Sequence, residues 1–321
     1  MNDTAAAARG MTAAFLAVSA GALFTCAAWT LRFDPLWVWR EAPPWLVESG
    51  GQNRILDVEI RRAKALQILT RAPETAVAGS SAVYRGIDPA PLGAGAFNAG
   101  FSSLMAEELP ALAKLLIARK TPRRVIIGLD YFMFTDFPVP VRLQDSWSRP
   151  DGAIKLAAWS LLSFSAVTSS TAGFTKGPAE PLGWTGQGFR ATPDRPPALT
   201  QRIRQEQTAR TLLPYRAAKT AMLREALGIL GSGERIMFLS PVNGDQRRAI
   251  SEKGLDADFA RWRADAAAAS RAAGAAFHDL TDAAAELDDF DPAKGSSRHW
   301  FDSLHYRPSI GALILKRIGA V

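Results

Sequence analysis

A long uncharged stretch near the first residue is the feature that most constrains this chain. No charged residue occurs between Arg9 and Arg32, which leaves 22 consecutive uncharged residues at positions 10–31. At about 1.5 Å of rise per residue, a helix of that length crosses the roughly 30 Å hydrocarbon core of a bilayer. We therefore predict an N-terminal membrane anchor over residues 1–32, followed by a domain outside the membrane.

A cleaved signal peptide is the main alternative for this segment. Small residues around Cys26 offer a cleavage site, but the apolar stretch is longer than the usual signal-peptide core and favours an uncleaved anchor. Arg9 precedes the segment, whereas Arg32 is offset by Asp34. This small bias favours a cytoplasmic N-terminus and places Arg32 onward outside the cytoplasm.

Composition narrows the chemistry that the domain can perform. The chain has one Cys and three His, which excludes an intramolecular disulfide and argues against cysteine-rich zinc sites and multi-histidine metal centres. The net charge of +7 can attract an acidic polysaccharide or anionic lipid headgroups, although a solvated surface explains it equally well. Because Cys and His are scarce and no phosphate-binding glycine loop is present, we predict no metal and no cofactor. An exported domain would not meet nucleic acid, so we predict no nucleic-acid partner.

Short apolar segments alternate with longer helical patterns from residue 56 to residue 321. The pattern predicts strands near 75–78, 97–101, 124–129, 235–239 and 275–280. It predicts helices near 56–70, 200–230 (interrupted by Pro214), 247–273 and 308–319. Such alternation is typical of an α/β fold in which a doubly wound parallel sheet is covered by helices on both faces.

Two segments interrupt this alternation. Residues 33–55 are rich in Trp and Pro, which predicts an irregular juxtamembrane segment. Residues 138–198 are rich in Pro and Gly and predict an insertion beside the C-terminal edge of the sheet. Insertions at that edge commonly shape binding sites, but a surface loop without function remains the alternative.

Gly79, Ser80 and Ser81 follow the first predicted strand, where the chain should turn into a helix. Such a turn exposes a hydroxyl and points backbone N–H groups at the same place, as a nucleophilic serine requires. Serines at this position also serve as helix caps.

Asp302 and His305 precede the last predicted helix, 224 residues after Ser81. A carboxylate three residues before a His can accept from Nδ1–H and leave Nε2 free as a base. Both can also be ordinary surface residues. In a doubly wound sheet, however, this pair and Ser81 can reach the same edge.

In this order the motifs resemble the SGNH/GDSL hydrolase superfamily, in particular its membrane-anchored, extracytoplasmic branch associated with polysaccharide O-acetylation. The resemblance covers about residues 70–130 and 235–320. The first block has Ser80 in place of the usual Asp and implies that Ser81 is the nucleophile. The second block, from Asn98 to Gly100, implies that the N–H groups of Gly100 and Ser81 bind the oxyanion. The last block implies a catalytic base, His305, oriented by Asp302.

The resemblance implies an SGNH-like, flavodoxin-like three-layer domain at residues 56–321. It further implies a serine acyltransferase or esterase that acts on O-acyl groups, chiefly acetyl, of an envelope or secreted polysaccharide. The implied partners are that polysaccharide, membrane lipid around the N-terminal helix, and a membrane-bound acyl-donor protein. The implied location is a single-pass inner-membrane protein with its C-terminal domain in the periplasm. A non-catalytic glycan-binding or scaffold protein of the same fold is the alternative.

The third block departs from the Gly-x-Asn-Asp pattern of the superfamily. Here Gly128 is followed by Leu129 and Asp130, so an acid stands where an oxyanion-binding amide is expected. Asp130 can be a protonated donor in an apolar site, or it can be ionised and paired with an Arg or with backbone N–H groups; we favour the second. Asn98 is a candidate replacement amide, whereas Asn243 and the two residues after it are read as a turn. Ser80, Asn98 and Asp130 are therefore expected to line the site.

Overall fold

A five-stranded parallel sheet forms the centre of the protein in the computed structural model. The structure describes residues 2–40, 54–141, 143–175, 183–192, 196–283, 287, 289–291, 293–294 and 297–321. The strands are β1 (Thr75–Ala78), β2 (Ala96–Asn98), β3 (Arg124–Leu129), β4 (Glu234–Leu239) and β5 (Ala276–Asp279). Their order is β2-β1-β3-β4-β5 and every neighbouring pair is parallel. The predicted parallel α/β sheet is thus confirmed.

Helices surround this sheet. They are α1 (Asn2–Phe33), α2 (Arg54–Arg71), α3 (Ser81–Gly86), α4 (Leu109–Ile117), α5 (Pro150–Leu162), α6 (Phe164–Thr175), α7 (Pro197–Thr211), α8 (Thr220–Leu230), α9 (Gly244–Glu252), α10 (Asp256–Ala272) and α11 (Pro308–Arg317). The helical stretch predicted at 200–230 with an interruption at Pro214 is two helices, α7 and α8, on either side of that residue, and the one predicted at 247–273 is α9 and α10. Asn243 does not form a turn; its side chain accepts from the N–H of Gln246 and so caps α9.

Alternate strand residues face two separate apolar layers, as the period of two in a strand requires. In β3, Val125 and Ile127 belong to the larger core with α2, α4, α8 and α10, whereas Ile126 belongs to the smaller core with α3 and α11. The sheet is therefore covered on both faces, which explains why its strands read as nearly continuous apolar runs.

The N-terminal helix is joined to the domain by a compact turn. One stretch of α1, residues 6–33, is long and apolar enough to cross a membrane. Directly after it, the Asp34 carboxylate accepts from the backbone N–H groups of Val38, Trp39 and Arg40. The predicted juxtamembrane segment is thus ordered at 34–40, lies outside the described residues at 41–53, and is already part of α2 from Arg54.

The predicted insertion at 138–198 is more helical than its Pro and Gly content indicated. It holds α5 and α6, which pack against α1 and α2 rather than beside the sheet edge. Among the described residues of the insertion, a later part reaches that edge: the N–H of Asn98 donates to Gln187 O at 2.7 Å, and the N–H of Arg190 donates to Tyr84 O at 2.9 Å.

Two glycines allow α11 to approach α3 at very short range. A Cβ on Gly311 would lie 1.8 Å from the carbonyl oxygen of Gly86, and one on Gly86 would lie 2.1 Å from the Tyr306 ring. Because α3 begins at Ser81 and His305 precedes α11, this close crossing brings the two predicted catalytic segments together.

Gly311→Ala is therefore expected to lower the free energy of unfolding of the full chain by about 1–3 kcal/mol, the usual cost of overpacking a close contact. The matched control is Gly228→Ala in α8, where an added Cβ meets nothing within 4 Å. That change should raise stability by about 0.5–1 kcal/mol, because Ala loses less backbone entropy than Gly. Urea unfolding in detergent micelles, followed by tryptophan fluorescence, measures both. Equal effects of the two substitutions would contradict the close crossing.

Candidate active site

Ser81, His305 and Asp302 form one continuous chain of hydrogen bonds. Ser81 Oγ lies 2.8 Å from His305 Nε2, and His305 Nδ1 lies 2.8 and 2.9 Å from the two carboxylate oxygens of Asp302. Asp302 is fully buried, while Ser81 and His305 keep exposed fractions of 6% and 7%. The structure therefore brings together three side chains that lie 224 residues apart in sequence at the widest.

The ionisation state of Asp302 decides which nitrogen of the His305 ring carries the proton. Burial acts to raise the pKa of Asp302, but the attraction and hydrogen bonding of His305 and the backbone N–H groups of His305 and Leu304 hold it well below its usual value. An ionised carboxylate only accepts, so Nδ1 carries the proton that it receives. Nε2 then has a free lone pair directed at the Ser81 hydroxyl, which is the arrangement of a general base.

Ser81 sits where the order of the strands reverses. β2 lies on one side of β1 and β3 on the other, so the ends of β1 and β3 flank the topological switch point, where doubly wound sheets bind ligands. The chain turns sharply there: Gly79 has φ +148°, and a Cβ on it would lie 2.4 Å from Val83 Cγ2. The Ser80 side chain caps α3 by accepting from the N–H of Ala82 at 3.1 Å. Ser81 is therefore fixed at the first position of the helix.

The His305 segment is held in a closed loop. The N–H of Phe301 donates to His305 O at 2.9 Å, and a bridge pairs Trp300 with Tyr306. From a neighbouring element, Asn243 Nδ2 donates to Asp302 O at 3.2 Å. Sequence reasoning interpreted Asn243 only as a turn residue, yet it both caps α9 and supports the loop that carries the carboxylate.

The two backbone N–H groups expected to bind the oxyanion differ in whether they already donate a hydrogen bond. Within the described residues, the N–H of Ser81 donates to no acceptor, so it can bind an incoming oxygen. The N–H of Gly100 instead donates to Asn98 Oδ1 at 2.9 Å. The Asn98 amide in turn donates to Val83 O at 3.1 Å and to Ile87 O at 2.8 Å.

These contacts correct the expectation for Asn98. Its side chain is fully buried and all of its bonds close the loop onto α3, so it supplies no replacement amide to the oxyanion. Gly100 can serve only if its N–H is shared with, or released from, Asn98.

Asp130 contacts Ser80 rather than an arginine. Ser80 Oγ donates to Asp130 Oδ2 in a short hydrogen bond. Burial raises the pKa of Asp130 to about 6, and the hydroxyls of Ser80 and Ser240 oppose that rise only in part. Within the described part of the chain no Arg or Lys forms an ion pair with it, so the expected pairing with an arginine is not found. The carboxyl is therefore buried among hydroxyls and titrates close to neutral pH.

Asp130→Asn should change how stability depends on pH. The folded-state pKa of about 6 lies above the ordinary 3.8, so the fold favours the protonated acid. The protein therefore loses stability as the pH rises from 3.8 to about 6. Two pKa units correspond to roughly 3 kcal/mol at most. Asn cannot ionise and still accepts from Ser80, so the variant should match the wild type near pH 4 and exceed it above pH 7. Thermal unfolding across pH tests this, with the exposed Glu252→Gln as control; parallel curves for wild type and Asp130→Asn would contradict it.

Lys64 is a site residue that sequence reasoning missed. Its ammonium is buried beneath the site and donates to Asn98 O at 2.8 Å and to Gly100 O at 2.7 Å. Burial, together with repulsion from Arg71, lowers the pKa of Lys64 well below its usual value. The ring of Tyr84 lies 4.9 Å from Nζ and that of Trp184 lies 5.3 Å away, and the two rings stack. In the sequence, this Lys resembles any polar position of an amphipathic helix.

Gln207 of α7 was missed as well. Its Oε1 accepts from Ser303 Oγ at 3.0 Å, and its amide nitrogen lies 3.5 Å from His305 Nδ1. Helix α7 therefore packs directly against the segment that carries Ser303 and His305. Its sequence is polar on all sides and gave no indication of that contact.

Comparison of the chain with known protein families, with curated proteins and with solved structures finds no match.

Proposed function

We propose that this protein is a membrane-anchored SGNH-like serine acyltransferase or esterase. The observation that carries the proposal is the hydrogen-bonded chain from Ser81 through His305 to Asp302 at the switch point of a parallel sheet. Nucleophile, base and orienting carboxylate are each within hydrogen-bond distance of the next, which is the arrangement that acyl transfer by serine requires.

The reaction would proceed through an acyl-enzyme. His305 Nε2 takes the Ser81 proton as Oγ attacks the carbonyl carbon of an ester, and the Ser81 N–H stabilises the negative oxygen of the tetrahedral intermediate. His305 then gives the proton to the leaving alkoxide, and the acyl group remains on Ser81. In the second half, His305 activates an acceptor hydroxyl, and Ser81 recovers its proton when the acyl group leaves. Water as acceptor gives an esterase, and a sugar hydroxyl gives a transferase.

The substrate class that we propose follows from location and resemblance together. A domain tied to a membrane-spanning helix by the rigid Asp34 turn works close to the membrane surface. With Arg32 onward outside the cytoplasm, the domain would lie in the periplasm beside the inner membrane. There it would act on O-acetyl groups of an envelope or secreted polysaccharide and receive them from a membrane-bound donor protein.

A non-catalytic scaffold is the second candidate, and two specific observations favour it. The acid at Asp130 replaces the amide that the third block of the superfamily supplies, and the N–H of Gly100 is bound to Asn98. In the observed state, these two changes leave the Ser81 N–H as the only oxyanion donor among those expected. A glycan-binding protein would retain this fold and these contacts without needing the second donor.

Full-length protein in nanodiscs, given a small chromogenic acetyl ester with and without an acetyl-accepting polysaccharide, separates these functions. An esterase releases acetate without the polysaccharide, a transferase acetylates it, and a scaffold binds it without turnover. Turnover that depends on His305 supports the proposed chemistry. Binding without turnover by wild type and His305→Ala alike would replace it with the scaffold.

A further inference from the structure

Helices α5 and α6 form a pair beside the N-terminal helix. They are separated only by Ser163, contact each other, and both pack against α1 and α2. Along α1 the side chains of residues 6–18 are exposed, and burial begins at Ser19 and becomes frequent from Cys26 onward. The α5–α6 pair therefore lies beside the C-terminal half of α1, within the part that is apolar enough to cross a membrane.

The composition of this pair suits an apolar environment. Residues 156–175 contain no charged side chain, a run of 20 residues that includes all of α6. It is not a spanning helix, because the chain breaks at Ser163 and each helix is shorter than the roughly 20 residues that a span needs. Its length and break fit a segment that enters one leaflet only.

Three hydroxyl groups of α6 donate to carbonyls of the same helix. Thr168 donates to Phe164 O at 2.7 Å, Ser170 donates to Ala166 O at 2.9 Å, and Thr171 donates to Val167 O at 3.0 Å. Thr12 and Thr25 of α1 use the same bond to the carbonyl four residues earlier. Hydroxyls bonded in this way lose little on entering hydrocarbon, where unsatisfied polar groups are costly.

The outward side of the pair carries large apolar side chains. Ile154 is 69% exposed, Leu162 is 40% exposed, and Phe164 at the start of α6 is 84% exposed. Ile154, Ala158 and Leu162 are spaced by four residues and so share one side of α5. Arg62 lies 5.3 Å over the Trp159 ring, a pair of side chains typical of the interface between lipid tails and headgroups.

We propose that the α5–α6 pair is a second membrane contact, whose exposed apolar side inserts among the lipid acyl chains of the leaflet that α1 leaves. This inference rests on α1 as a membrane span and not on the chemistry of Ser81. The occupant is lipid because the pair packs against α1, whose residues 6–33 are long and apolar enough to cross a membrane. Two contacts, α1 and the pair, hold the domain in one orientation on the bilayer and place the site at a fixed height above it.

Depth-dependent quenching of a fluorophore tests the proposal on the full chain. In a Cys26→Ala background, single cysteines are introduced by Phe164→Cys and Ile154→Cys, with Phe15→Cys in α1 as the lipid-exposed reference and Val321→Cys as the aqueous reference. Each is labelled with an environment-sensitive dye and reconstituted in phosphatidylcholine nanodiscs with and without doxyl-labelled lipid. The four side chains replaced by cysteine are more than half exposed, so these substitutions should not disturb the fold.

The proposal predicts quenching and a blue-shifted emission at 164 and 154 comparable to those at 15, and neither effect at 321. Quenching at 164 and 154 no greater than at 321 would overturn it. A maleimide that does not cross membranes then reports accessibility in native membranes. Protection of 164 there, combined with aqueous behaviour in nanodiscs, would also overturn the lipid contact and assign the surface to a protein partner.

Discussion

Ser81→Ala is expected to reduce acetyl-ester turnover by about 10⁶-fold, to the residual level that binding and the oxyanion donor alone supply. Removal of Oγ eliminates the attacking atom. Within the described residues, no other hydroxyl lies at hydrogen-bond distance from His305 Nε2. The fold should be unaffected, because Ser80 and not Ser81 caps α3. Steady-state hydrolysis by wild type and variant, with a matched far-ultraviolet circular dichroism spectrum, measures the effect.

The control for this loss is Ser251→Ala, an exposed serine in α9 that should leave turnover unchanged. Because nucleophile and base act as a unit, adding His305→Ala to Ser81→Ala should cost nothing further. Retention of most of the activity by a well-folded Ser81→Ala protein would rule out a serine acyl-enzyme at this site.

Asp302→Asn should lower kcat by about 10⁴-fold while leaving the Michaelis constant nearly unchanged. Asn retains an oxygen that can accept from the backbone N–H groups of Leu304 and His305, at 3.1 and 2.9 Å in the wild type, so the loop should persist. Its amide, however, donates to His305 Nδ1 and forces the proton onto Nε2, where the lone pair is needed. A decrease of less than about tenfold would show that the carboxylate does not set the tautomer.

The alternation of strands and helices was enough to predict the sheet, because the central strands β1, β3 and β4 are largely buried and read as apolar runs, and several of the helices that cover them have an apolar face. The insertion was harder. Its second helix contains many Ser, Thr and Gly residues, which have low helix propensity, and it is stabilised by packing on α1 and α2. That packing is tertiary and leaves no periodic signal in the chain.

The order of motifs was likewise enough to predict that Ser81, Asp302 and His305 meet. It could not show which hydrogen bonds hold the second block, from Asn98 to Gly100, in place. The hydrogen bonds of Asn98 and Lys64 join segments that are far apart in sequence. For Asp130, the sequence allowed a protonated or an ionised state and favoured the ionised acid, paired with an Arg or with backbone N–H groups. Its burial beside Ser80 and Ser240, with a pKa of about 6, favours a group that changes state near neutral pH over a permanently paired ion.

Covalent labelling by a fluorophosphonate tests the central claim most directly, because this reagent modifies only a serine that is activated as a nucleophile. The full-length protein in detergent micelles is treated, digested and mapped by mass spectrometry, beside Asp302→Asn and Ser251→Ala. The account predicts one adduct per chain on Ser81, formed at the wild-type rate in Ser251→Ala and far more slowly in Asp302→Asn. No adduct on the folded wild type, or an adduct on Ser80 or Ser303 in place of Ser81, would contradict it.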